Sequence, residues 1–372
     1  MGPQLDVDRV LASDGVRIVV CCGSGGVGKT TTAAALGLRA AEQGRKVAVL
    51  TIDPARRLAQ AMGVEQLDNV PRPVKLPGAA AGTLDAMMLD MKRTFDEVVE
   101  AYASREKAEQ ILSNPFYQAL SSSFAGTQEY MAMEKLSQLQ AEADRTGRWD
   151  LIVVDTPPSR SALDFLDAPE RLASFLDGRL IRVLVAPTRG SLRLFTAGFS
   201  LVTAAVTKVI GGQLLRDVQT FVAALDTLFG GFRARAESTY AILKARQTAF
   251  VVVASPDGDA LREASFFVER LQEDEMPLAG MVLNRVALPP LPDVSVQAAL
   301  AAAERLDESD RTAAGLLRLH ADRLTQVTRE TALRRRFAAA HPGVATAIVT
   351  ALPTDVHDLD ALRVVGDLMA SN

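Results

Sequence analysis

The stretch from Arg17 to Thr31, RIVVCCGSGGVGKTT, constrains the fold of this chain more than any other. Ile18-Val19-Val20-Cys21-Cys22 is apolar without alternation, the pattern of a strand buried on both faces of a parallel sheet. It runs into Gly23-Ser24-Gly25-Gly26-Val27-Gly28-Lys29-Thr30, a complete match to the pattern G-x-x-x-x-G-K-[ST]. A helix is expected over Thr31 to Gln43, stopped by Gly44. The glycines let backbone N–H groups turn inward around a polyphosphate with no Cβ in the way. Lys29 would then reach the β- and γ-phosphates, and the Thr30 hydroxyl would bind Mg²⁺. The helix opening at Thr31 would present its N-terminus to the anion. A strand, a glycine loop and a helix in this order require an α/β fold with a mostly parallel sheet flanked by helices.

The chain has 372 residues, 48% of them hydrophobic and only 5% aromatic, so an aliphatic core between helices and sheet is available. A net charge of -4 gives no support for nucleic-acid binding. Arg334-Arg335-Arg336 is the one dense basic run, and it reads as the solvated last turn of a helix. Both cysteines lie in the first strand on opposite faces, so no disulfide framework is expected. The first residues carry no apolar signal core, and the expected location is cytoplasmic. The most apolar window, Leu192 to Gly211, contains Arg193 and Lys208 and falls short of a membrane span. Peripheral association with a membrane remains compatible with it.

Lys46 to Ile52 is a second buried strand, and Asp53-Pro54-Ala55 follows at its carboxyl end, where ligands gather in open α/β sheets. Residues 71–82 read as a loop, Leu84 to Leu89 as a strand and Lys92 to Gln110 as one helix. Thr127 to Thr146 is a further helix ended by Gly147. Leu151-Ile152-Val153-Val154-Asp155 is a third buried strand with an acid at its tip. Such a carboxylate holds Mg²⁺, often through water, beside a phosphate loop. From Ser161 to about Lys244 apolar residues recur at helical spacing, and a helical insertion is expected. Strands are expected again at Phe250 to Ala254, Gly280 to Arg285 and Ala345 to Val349. Asp259 to Glu273 and most of Glu304 to Ala340 read as helices, and Asp358 to Met369 as an amphipathic helix packed on the sheet. The expected division is a core of residues 1–160 and 246–372, including a helical segment at about 92–146. A helical insertion subdomain at 161–245 completes it.

These motifs resemble the signal-recognition/MinD-like (SIMIBI) branch of P-loop NTPases. Several further stretches narrow the resemblance to the family of the arsenical-pump ATPase (ArsA) and the ATPase that guides tail-anchored membrane proteins. Asp53-Pro54-Ala55 with Leu58 resembles that family's switch I, Phe124 to Glu129 its P-G-x-x-E element, and Asp155-Thr156-Pro157-Pro158-Ser159 its switch II. Asn284-Arg285 falls where the family's adenine-contacting Asn lies, and Ala351-Leu352-Pro353 is similar to its late purine-contacting loop. Among relatives, the chain most resembles the paired ArsA-like ATPases of actinobacteria, the BagB-like branch included. The likeness implies an ATP-dependent ATPase that works as a homodimer or pseudo-dimer, with nucleotides facing each other across the interface. It implies that Asp53 orients the attacking water and lies near the Mg²⁺. It also implies that Asn284, Arg285 and Pro353 contact the nucleotide.

Departures from the family pattern are as informative. The signature lysine that reaches across the dimer to the opposite ATP falls at Ser24 here. A trans cation of this kind is worth about 10³–10⁵ in rate, or roughly 4–7 kcal/mol, and a hydroxyl cannot replace it. Pairing with a lysine-bearing paralogue is therefore expected, with a membrane protein or an apolar segment as client. The alternatives are a weakly active regulatory subunit of a heterodimer, or a MinD/ParA-like positioning ATPase. Zinc-binding CxxC is absent, and His320, His341 and His357 are expected on helix surfaces, so no metal beyond Mg²⁺ is expected.

Overall fold

The structure is a computed structural model that describes residues 2–52, 57–78, 81–115, 117–118, 127–156, 237–289, 291 and 293–371. The expected helical insertion from 161 onward lies almost wholly outside these residues. Eight strands form one sheet in the order β3-β4-β2-β5-β1-β6-β7-β8. They are β1 (Ile18–Cys22), β2 (Lys46–Thr51), β3 (Arg72–Pro73), β4 (Thr83–Met88), β5 (Leu151–Asp155), β6 (Thr248–Ala254), β7 (Leu278–Val286) and β8 (Thr346–Thr350). β1, β5 and β6 are buried at every position, which is what an uninterrupted apolar run requires of a strand covered on both faces. All pairings are parallel except that of β3 with β4. β1 lies between β5 and β6, with Val19 opposite both Val153 and Ala249. The chain leaves β1 toward β2 on one side and later returns to β6 on the other. The carboxyl end of β1 is thus a topological switch point, where such sheets bind ligands.

The chain divides into two compact units. The first comprises Met1–Met88, Arg145–Ala162 and Leu243–Asn372 and holds the sheet. Its helices are α1 (Val7–Ala12), α2 (Lys29–Glu42), α3 (Arg57–Ala61), and, beyond β6, four more. In the second unit, Leu89–Asp144 and Leu163–Ile242, lie α4 (Met91–Tyr102), α5 (Arg105–Leu112) and α6 (Thr127–Thr146). The later helices of the first unit are α7 (Gly258–Glu273), α8 (Val296–Leu306), α9 (Arg311–Ala340) and α10 (Leu359–Ala370).

In the first unit, alanines and leucines of α2 meet the valines of β1, β2 and β5 in a continuous core that Leu362, Val365 and Met369 of α10 join. α10 packs on α2 and β8, and its polar side is pinned by Arg363 to Glu42 at 2.7 Å. Arg45 is a buried hub at the base of the sheet: Nη1 donates to the carbonyls of Leu11, Ser13 and Val16, while Nε and Nη2 bind Asp150. At the far edge the extended residues before α1 form a bridge to Thr346, whose N–H donates to the Pro3 carbonyl at 2.9 Å. In the second unit, Phe95 and Tyr117 pack edge to face with ring centres 5.5 Å apart, and the Tyr117 hydroxyl donates to Asp96 at 2.5 Å. No helix among the described residues is long and apolar enough to cross a membrane.

Several sequence expectations need correction. α2 begins at Lys29, not Thr31, because Gly28 takes a left-handed conformation at its N-cap. Residues 71–82 contain β3, two exposed residues antiparallel to β4. The single helix expected over 92–110 is two, separated by the extended residues Ala103 and Ser104. The long helix expected from Glu304 is also two, because the Asp310 carboxylate accepts from Ala313 N–H and starts α9 afresh. His320 is not on a helix surface: it is 5% exposed, and its Nε2 hydrogen-bonds the Val294 carbonyl at 2.9 Å. His341 caps α9 and His357 lies in a loop.

Candidate nucleotide-binding site

The glycine loop turns sharply out of β1 because two of its glycines have no alternative. Gly23 has φ +146°, and a Cβ there would come within 2.1 Å of the Val253 carbonyl oxygen of β6. Gly28 has φ +95°, and its Cβ would lie 2.2 Å from Asn284 Nδ2. Between them, Val27 is buried in the core, Gly25 and Gly26 are exposed, and Ser24 is 8% exposed. Lys29 is itself buried, and its ammonium donates to the Ser24 carbonyl at 2.8 Å. The catalytic candidate is thus held along the loop by that loop's own backbone.

Thr30 at the start of α2 donates its hydroxyl to Asp155 Oδ2 at 2.7 Å, and Thr51 at the end of β2 donates to the same oxygen at 2.8 Å. The parallel register delivers this meeting: Cys21 and Thr51 both stand opposite Asp155, which is fully buried at the tip of β5. Thr156 closes the corner, its N–H and hydroxyl both donating to the Cys21 carbonyl. The donor set suits Mg²⁺: a carboxylate and a hydroxyl are hard oxygen ligands, and the ion keeps several waters and completes its shell with phosphate oxygens. Among the described residues no group of three or more His, Cys, Asp or Glu could hold a metal ion by itself. The cysteines behind the loop are free and buried; burial pushes the Cys22 thiol up to about 12, and burial followed by the nearby Asp155 charge raises that of Cys21. Both remain protonated, consistent with packing rather than chemistry.

Asn284 and Arg285 at the end of β7 meet the loop directly. Asn284 Nδ2 donates to the Val27 carbonyl at 2.9 Å and Arg285 Nη1 to the Gly26 carbonyl at 3.0 Å. Arg285 has φ +60°, uncommon for a side chain of its size. An open cleft of about 590 Å³ lies over the loop, with Gly28, Lys29, Thr30 and Thr31 on one wall. Asn284, Arg285, Gln60, Thr156 and most residues from Thr350 to His357 also line it. Pro353 is exposed and does not line the cleft, although its neighbours Leu352 and Thr354 do. Asp53, the switch II residues 157–160 and the 124–126 element lie outside the described residues. Sequence reasoning missed Thr51 and the cleft residues Gln60, Asp355 and His357. Only Thr51 carried a signal, as a hydroxyl ending a strand two residues before an expected site acid.

A mostly parallel sheet with a glycine loop at the end of a central strand, leading into a helix and flanked by a strand-end acid, is the P-loop NTPase fold. The comparisons with known proteins are consistent with that class. The chain belongs to the anion-transporting ATPase family, whose model matches residues 16–302. It is similar to the ATPase GET3 of Malassezia globosa, 29% identical over 46% of this chain and 47% of the relative. It is also similar to an ATPase ASNA1 homolog of Cryptosporidium parvum, 25% identical over 72% of this chain and 64% of the relative. The ATPase BagA of Mycobacterium tuberculosis is 25% identical over 73% of this chain and 65% of its own length. The chain therefore spans from 47% to 65% of the length of these relatives.

Proposed function

We propose that the chain binds Mg-ATP in the cleft over residues 23–31 and hydrolyses it. The observation that carries this reading is the meeting of Thr30 and Thr51 on the one buried Asp155 oxygen, beside Lys29 and an open cleft. Lys29 leaves the Ser24 carbonyl for the phosphates, the loop amides receive the phosphate oxygens, and the start of α2 favours their charge. Bound Mg²⁺ supplies charge neutralisation across the terminal phosphates. Thr30 would hold the ion through its hydroxyl oxygen, and Asp155 would hold it through water. Asp53 orients the attacking water, which is enough because phosphoryl transfer depends chiefly on positioning and charge. Asn284, Arg285 and the loop around Pro353 border the base.

Hydrolysis switches a dimer between two arrangements, and residues 161–245 supply the binding segment for an apolar client or a membrane partner. Ser24 cannot send a cation to the facing site, so the chain works best paired with a lysine-bearing paralogue. The test is titration calorimetry with Mg-ADP together with phosphate release, on wild type and Lys29→Ala. Binding by wild type that K29A abolishes supports the cleft; no binding by wild type refutes it. Full turnover by the chain alone, unaltered by Ser24→Lys, would refute the pairing. A pull-down on Asp53→Asn, expected to hold ATP without turnover, identifies the client.

A further inference from the structure

The end of β7 is tied to α9 by a buried carboxylate that no role in nucleotide contact explains. Glu330, in the middle of α9, is 7% exposed. Its Oε2 accepts the Ala287 N–H at 2.8 Å, and its Oε1 accepts the Gln326 side-chain amide at 2.8 Å. Neither bond is to a cation. Burying an anion against neutral donors is costly, and a glutamine there would accept the same N–H with a smaller desolvation penalty. What the charge adds is a stronger hydrogen bond to one backbone amide.

That amide sits where the strand needs holding. The pairing of β7 with β8 shifts register between Leu283 and Val286, as the chain reaches the glycine loop. Within this irregular stretch Arg285 has φ +60°, and the Asn284 side chain bridges both ways, accepting from Arg285 N–H at 3.0 Å and donating to the Val27 carbonyl. The Val286 carbonyl accepts from Ala351 N–H at 2.9 Å, which joins the turn to the opposite wall of the cleft. A strained turn relaxes unless the chain on both sides is fixed. The ladder fixes it up to Leu283 and again at Val286, and Glu330 adds a tie at Ala287, the next residue along.

We propose that Glu330 is a positioning residue for the nucleotide site. By holding Ala287 it keeps the Asn284-Arg285 turn against Gly26 and Val27, and so makes nucleotide affinity depend on the seating of α9. The inference rests on the cleft being a nucleotide site. By reciprocity, nucleotide in the cleft strengthens the tie between β7 and α9.

The test compares Glu330→Gln, which keeps an acceptor for Ala287, with Glu330→Leu, which removes it. Calorimetric affinity for Mg-ADP is expected to fall about tenfold in E330L and to stay within about threefold of wild type in E330Q. Turnover at saturating ATP is expected to be unchanged, so the effect appears in KM and not in kcat. On an Asn284→Ala background E330L is expected to add little, because both act through one turn. In protein without nucleotide, amides 26–28 are expected to exchange faster in E330L than in wild type. Should E330L not fold, wild type alone still serves: Mg-ADP is expected to slow exchange of the Ala287 amide. Unchanged affinity and loop exchange in folded E330L, additivity with N284A, or an Ala287 amide indifferent to Mg-ADP would each overturn the proposal. If E330L loosens the loop but wild type binds no Mg-ADP, the positioning stands and the nucleotide reading fails.

Discussion

The three positive-φ glycines of the loop allow a graded experiment, because each would place a new methyl group in a different surrounding. At Gly26, φ is +78° and nothing lies within 4 Å of an added Cβ, so Gly26→Ala incurs backbone strain alone, ~1–2 kcal/mol. At Gly28 the strain is similar, but the methyl meets Asn284 Nδ2 at 2.2 Å. The amide must move and give up its bond to Val27, which raises the cost to ~2–3 kcal/mol. At Gly23 the obstacle is the Val253 carbonyl at 2.1 Å, which is β6 backbone and cannot rotate away. Strain and overpacking together come to ~3–5 kcal/mol there. Urea unfolding can rank the three, read from Trp149, the single tryptophan, which is 2% exposed and donates Nε1–H to Asp85 in the same unit. The expected order of loss is G23A, then G28A, then G26A. On an Asn284→Ala background the cost of G28A should drop to that of G26A. A G23A protein as stable as G26A would refute the account of the turn, and a G28A cost indifferent to Asn284 would refute the contact.

Three further expectations follow from other parts of the first unit. Arg45→Met takes the guanidinium donor from the Leu11, Ser13 and Val16 carbonyls, of which Ser13 keeps the Val16 N–H, and should lower stability by about 2 kcal/mol in the same urea assay; Arg45→Lys, with fewer donors, should recover only part of it. Asp8 titrates below its ordinary 3.8, first because Arg39 hydrogen-bonds its charged form, so its contribution is complete above that value and is lost as pH falls through the folded pKa. The stability gap between wild type and Asp8→Asn should therefore close in acid, and a gap unchanged well below pH 3.8 would contradict the pairing. Cys21 and Cys22 should resist a thiol reagent at pH 8 until the protein is unfolded, when both react; rapid labelling of the folded chain would contradict their burial.

The strands of the sheet's centre were legible because Ile18–Cys22, Leu151–Val154 and Phe250–Ala254 are apolar at every position, and no solvent-facing strand reads that way. The glycine loop, Lys29, Thr30 and the strand-end Asp155 were legible together because their chemistry fixes their order along the chain. Helix breaks were less so. Asp310 lies in a run of acids that reads as one polar helix face, although its side chain caps a new helix. β3 was hidden by its two residues, one of them proline. Glu330 and His320 were the hardest, since a polar residue on a polar helix looks solvated. Their partners, Ala287 and Val294, are 43 and 26 residues away and supply only backbone groups, which leave no mark in a sequence.

The ends of the sheet bear on how this protein can associate. At one margin β3 offers Arg72, a charge, and Pro73, which has no N–H to give to another strand. At the other, the chain's own residues 3–5 already occupy β8 at Thr346. Among the described residues, a strand added from outside would meet a charge and a proline at the first margin and a native bridge at Thr346 at the second. Copies of this chain, or a different partner, are therefore steered toward contacts made by side chains and loops, and away from the edge-to-edge pairing through which α/β proteins aggregate.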